Sequence, residues 1–162
     1  MIEEFITDIC ELLDITVPSI SYDISHFPTK TTMAQCELTS NTIYLNKIDK
    51  PNPDYLFAIA HELRHIFQYH DDEQFYLSNY KTSDNCYSIE EYNLQIAEVD
   101  ANAFASIIMV EYFHIQSQWN GLSDKVIRAI NDRINTIIRE LNNWFSFPYY
   151  HMNKLHCPEM LA

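Results

Sequence analysis

The chain has 162 residues, 47% hydrophobic and 20% charged, a balance that fits one soluble domain spanning 1–162 around a single core. Its formal net charge of −13 repels a phosphate backbone and removes nucleic acid from the partner classes, while favouring encounter with basic peptides or proteins. Gly121 is the one glycine in the chain, so loops that cradle phosphates through several glycines are excluded as well.

In chain order, Phe5, Ile6, Ile9, Leu12 and Leu13 recur at a helical period and predict a first helix over 3–13. After Pro18, the alternation of Ile20, Tyr22 and Ile24 with Ser21, Asp23 and Ser25 predicts a half-buried strand over 19–25. Two further strands are expected at 33–38 and 42–46, paired as a hairpin. Asn52 or Asp54 caps a helix that carries Pro53 at its first position and runs to about residue 70. Residues 71–87 are polar and aromatic with weak periodicity and read as a long loop. Ser88 and Glu91 form a capping box that opens a long helix to about residue 116. Trp119, Asn120 and Gly121 break it. Ser123 caps a last helix whose apolar face carries Val126, Ile127, Ile130, Ile134, Ile137, Ile138 and Leu141. The expected class is α+β, a small antiparallel or mixed sheet of about three strands against helices.

No apolar run approaches a membrane span; the longest, 103–110, contains Ser106. The first residues, Met-Ile-Glu-Glu-Phe-Ile, place no basic segment ahead of an apolar one, which predicts no signal peptide and a cytoplasmic protein. Cys10, Cys36, Cys86 and Cys157 form no C-x-x-C pair, so free thiols in a reducing compartment are expected.

One segment points to a reaction. His61-Glu62-Leu63-Arg64-His65 is an H-E-x-x-H pattern. Two histidines four apart share one helix face, and their ring nitrogens can approach one zinc ion at roughly 2.0–2.1 Å. Glu62 is offset by about 100° from His61, too far round to be a ligand but placed to act as general base on a zinc-bound water. Arg64 faces solvent or pairs with a carboxylate such as Asp100.

A catalytic zinc needs a third protein ligand and an open position. His70, His114, His151 and His156 are available, but Glu98 fits best. It lies among Ile96, Ala97, Val99, Ala101, Ala103, Phe104 and Ala105, and a carboxylate buried there is costly unless paired or metal-bound. Asn102, one turn on, is placed to orient Glu98 or a histidine, and Asp100 to hold a histidine ring or another helix. A donor for the oxyanion is needed too, and Tyr80, Tyr87, Tyr92, His114, His151 and His156 all qualify, with Tyr87 and Tyr92 nearest in sequence to Glu98.

The segment 61–65, followed by Glu98-Val99-Asp100-Ala101-Asn102-Ala103-Phe104-Ala105, resembles the ImmA/IrrE-type zinc metallopeptidases, which pair an H-E-x-x-H helix with a downstream E-x-x-A-N-x-F-A helix. The resemblance covers roughly residues 42–109. It implies a minimal zincin-like fold with two long helices beyond the metal helix, Glu98 as third zinc ligand, and a peptidase that cuts a repressor or other regulatory protein. It also matches Ile43-Tyr44-Leu45-Asn46 to the strand before the metal helix, which in zincins is an edge that receives extended substrate. The chain departs from the pattern at Arg64, where members carry glycine, and at Val110, where they carry proline.

The expected function is therefore a zinc-dependent endopeptidase with Glu62 as base. The alternative is a catalytically silent or latent zincin-fold module that recognises a protein partner. Glu62 separates the two, because a structural metal site has no use for a base at that position.

Overall fold

The computed structural model describes residues 2–144, in two compact units that meet in sequence at Ser78 and Asn79. The expectations that rest on His151, His156 and Cys157 lie outside the described residues.

The first unit opens with α1 (Ile2–Leu13), whose Phe5, Ile6, Ile9, Cys10 and Leu13 form one buried stripe. The helix closes on Asp14, which takes a left-handed φ of 53°, and the Ile15 N–H donates to the Cys10 carbonyl at 3.0 Å. Three short strands follow: β1 (Ser19–Ser21), β2 (Ala34–Glu37) and β3 (Thr42–Leu45). The strand expected at 19–25 is shorter because Asp23 caps a turn of 3₁₀ helix at Ile24–His26 through the Ser25 N–H. A tight connection with Asn41 at φ 46° joins β2 to β3, as the hairpin reading required.

The sheet is mixed, in the order β1-β3-β2, with β1 parallel and β2 antiparallel to β3. This corrects the assignment of the 43–46 strand to an edge. β3 has a neighbour on both sides, so the free edges belong to β1 and β2. Ile43 and Leu45 point to the core face, with Cys36 and Ala34 opposite them on β2.

Helix α2 (Pro53–Asp71) packs against β2, β3 and α1. Asn52 is its cap, accepting the Tyr55 N–H at 2.9 Å, and Pro53 occupies the first turn. Its core side is Leu56, Ile59, Ala60, Leu63 and Ile66. The Tyr55 hydroxyl donates to the Asn46 carbonyl at 3.0 Å and ties the start of the helix to the end of β3. A small mixed sheet with the H-E-x-x-H helix laid against it is the expected α+β arrangement.

The segment read as a loop contains α3 (Glu73–Asn79), capped by Asp72, and a 3₁₀ turn at Ser83–Asn85.

In the second unit, Ser88 accepts the Glu91 N–H as predicted, while Glu91 reaches back to the Tyr87 N–H. The helix so started, α4 (Ile89–Asn93), stops after five residues. Gln95 interrupts what was expected to be one long helix. Its side-chain amide accepts the Lys81 N–H at 2.6 Å and donates to the Lys81 carbonyl at 2.9 Å, and its backbone is extended. Helix α5 (Ile96–Phe113) starts there and ends at Phe113, with His114 as its cap, about three residues short of the expected end. Helix α6 (Asp124–Trp144) packs on α5 through Val126, Ile130 and Ile137, with Ser123 at its start. Ile138, expected on the same face, is 43% exposed.

Candidate metal centre

The two histidines of α2 are one turn apart, and their Nε2 atoms face each other at 3.0 Å. His65 is 3% exposed and His61 is half-buried. The Nδ1 atom of His65 lies 2.9 Å from Oε1 of Gln68, a residue three positions on along the same helix. An amide oxygen can only accept, so Nδ1 carries the proton and the Nε2 lone pair is turned toward His61. The Tyr76 hydroxyl sits 3.3 Å from the same Nδ1, and its ring packs edge-on against the imidazole. Two imidazoles held with their ring nitrogens converging in this way suit a shared cation better than they suit each other.

Glu62 points to the sheet. Its Oε2 accepts the main-chain N–H of Cys36, on β2, at 2.9 Å. Arg64 lays its guanidinium over the Phe67 ring, 4.4 Å from the centroid.

Helix α5 supplies the acid. Glu98 is 2% exposed. The ligand atoms of His61, His65 and Glu98 all lie within 4.8 Å of one another, the one such group of three among the described residues. Two neutral imidazoles and one carboxylate are a donor set for a divalent cation, and the spacing fits one ion. The three residues form the zincin-like H-E-x-x-H-plus-glutamate triad that the resemblance implies.

Tyr92 hydrogen-bonds the Glu98 carboxylate and shares a 3.2 Å contact with the Tyr80 hydroxyl. Burial pushes the Tyr92 phenol well above its ordinary range, and the Glu98 charge and the two hydrogen bonds push it the same way, so Tyr92 stays a proton donor. Tyr87, the other tyrosine favoured from sequence, is 98% exposed.

The two neighbours of Glu98 have different employment from each other. Asn102 donates its amide to the Glu98 main-chain carbonyl at 2.9 Å, so it braces the helix turn that carries the ligand and not the carboxylate itself. Asp100, 6% exposed, accepts Arg133 Nε of α6 at 2.6 Å, and Arg133 also donates to Glu140 at 3.1 Å. Of the two roles open to Asp100, holding another helix is the one these bonds supply. His70 and His114 are both exposed, and neither joins the ligand cluster.

Three supports escaped the sequence reading. Gln68 had a signal in its i+3 spacing from His65. Tyr76 had none, since a helix break separates it from α2. The Cys36 amide is a backbone group and no side-chain pattern can announce it.

No family model, no curated protein and no solved structure matches this chain.

Proposed function

We propose that the protein is a zinc-dependent endopeptidase acting on a protein or peptide chain. The observation that carries this reading is the convergence of His61, His65 and Glu98 on one point, with Glu62 in the same helix turn as the two histidines. Zinc is the choice of metal because two imidazoles and a carboxylate, with one position left for solvent, are its usual catalytic set. Held there, zinc would supply Lewis acidity and make a water nucleophilic near neutral pH.

The chain's own residues do the rest. Glu62 withdraws a proton from the attacking water through its carboxylate and returns it to the leaving amine nitrogen. Gln68 fixes the tautomer of His65, and Tyr92 fixes the carboxylate of Glu98. The free edge of β2 offers main-chain groups to an extended substrate strand, which favours an unfolded or looped segment of a protein over a small molecule. The net charge of −13 favours a basic segment. The cytoplasm as its compartment, and a repressor or other regulatory protein as its target, are further parts of this proposal; free thiols and the resemblance of the two motifs support them.

The test is a comparison of wild type with Glu62→Gln on a mixed peptide library and on basic protein substrates. Glu62→Gln is expected to retain one zinc while cleavage falls by a factor on the order of 10²–10⁴. Equal cleavage by both proteins would remove Glu62 from the reaction. A zinc-loaded wild type that cuts nothing would overturn the peptidase reading itself.

A further inference from the structure

We infer that the main-chain amide of Cys36 is the positioning group for Glu62, so that the free edge of the sheet aims the general base. The inference rests on the peptidase reading for its consequence, though not for its geometry.

The direction of that amide follows from the ladder. The Asn46 N–H donates to the Met33 carbonyl at 2.9 Å, which makes 33 and 46 a hydrogen-bonded pair. In an antiparallel pair the bonded positions alternate, so Gln35–Tyr44 and Glu37–Thr42 also bond, while Ala34 and Cys36 turn their N–H and C=O away from β3. β2 is an edge strand, and nothing in the sheet lies on that side of it. The outward N–H of Cys36 is therefore spare for the ladder, and it is the one that Glu62 Oε2 accepts at 2.9 Å.

A glutamate side chain has three rotatable bonds, and a base that must meet a proton within hydrogen-bond reach loses much by sampling them. One fixed donor on Oε2 selects a single rotamer and leaves Oε1 as the proton acceptor. The tether also claims a donor that an incoming strand would otherwise use. A substrate laid along β2 meets the outward main-chain groups of Ala34, while the N–H at 36 stays with the enzyme's own base.

The tether can be cut without touching Glu62. Proline at 36 removes the N–H, and at an outward-facing position on an edge strand it costs no ladder bond. The residue before it, Gln35, is already in the extended backbone that a following proline demands. Cys36→Ala changes the side chain and keeps the amide. Cys36→Pro is expected to hold one zinc and an unchanged KM, with kcat lowered on the order of tenfold to a hundredfold relative to Cys36→Ala, the reference that changes the same side chain but keeps the amide. Amide hydrogen exchange gives a reading independent of catalysis and of any folding defect in the proline variant. The Cys36 amide should exchange at least about tenfold faster in Glu62→Ala than in wild type. The Cys36→Ala kcat in a folded Cys36→Pro, or the same Cys36 exchange rate with and without the Glu62 carboxylate, overturns the inference. If the wild type cleaves nothing, the peptidase reading falls alone and the exchange comparison still decides the tether.

Discussion

Helices α2 and α5 both carry candidate ligands, and they hold them by opposite means. α2 is amphipathic: Leu56, Ile59, Ala60, Leu63 and Ile66 fill one side, and the histidines take another, with the tautomer of His65 set by Gln68 one turn away. α5 is buried nearly all round, with Ala101, Ala103, Phe104, Ala105, Ile107, Ile108 and Met109 all shielded from solvent. A helix of that kind has no polar face on which to park a charge. Each polar residue in it must find an inside partner: Asp100 has Arg133, Asn102 has the Glu98 carbonyl, and Ser106 meets both the Asn102 carbonyl and Ser117. Spacing alone marks the ligands on α2. On α5 only the partners distinguish the acid that faces the histidines from the acid two residues later.

The sharpest way to break that distinction is to exchange the fates of the two acids. Glu98→Ala is expected to leave the protein without zinc after gel filtration. Asp100→Ala should retain a full equivalent and lose stability instead, by about 2–3 kcal/mol, because the half-buried Arg133 guanidinium loses its nearer carboxylate; the penalty stays below that of a fully buried pair since Arg133 keeps Glu140 and some contact with solvent. Metal analysis and urea unfolding of the two variants decide it. Equal zinc content would mean that the wrong carboxylate has been assigned.

A smaller effect compares the supports. Gln68→Ala frees the His65 ring to take either tautomer, and Tyr92→Phe removes the hydroxyl on the Glu98 carboxylate. Each is expected to weaken zinc binding by roughly tenfold to a hundredfold in a chelator competition, with the fold intact. Tyr80→Phe, one bond further from Glu98, should weaken it less. If Gln68→Ala binds zinc like wild type, the ordering of α2 comes from the packed Tyr76 ring and not from the amide.

This comparison also explains what was legible in the sequence. The histidine pair, the Asn52 cap, Pro53 and the apolar stripe of α2 are all local signals, and the helix came out within a residue of its expected end. Glu98 was legible because a carboxylate among alanines is costly unless something holds it. The failures are where distant groups decide. Residues 88 to about 116 read as one helix, but the Lys81 backbone, 14 residues back in the chain, captures the Gln95 side chain, and Gln95 is extended between α4 and α5. The 43–46 strand was placed at an edge by the resemblance to zincins, and nothing in residues 19–21 announces that they pair with it in parallel. Asp100 was undecided because Arg133, its partner, lies on the next helix.

The smallest expected effect concerns how the two units end their first long helices. α1 closes on Asp14 at φ 53°, and α5 closes on His114 at φ 56° and ψ 32°. Asp and His both enter the left-handed region more readily than most side chains, but the short carboxylate bonds the local backbone more easily than the bulkier imidazole, which keeps more of the contact between Cβ and the carbonyl. Glycine escapes that contact, at the expense of a more flexible unfolded chain. His114→Gly should therefore stabilise the protein by about 1 kcal/mol, a rise in Tm of roughly 2–4 °C, while Asp14→Gly gains about half as much or nothing. Because the His114 ring is exposed and outside the ligand cluster, zinc content should not change. Calorimetry on the zinc-loaded proteins measures both shifts. A drop in Tm for His114→Gly would show that the imidazole is bonded in a way that offsets its backbone strain, and a loss of zinc would return it to the list of ligands.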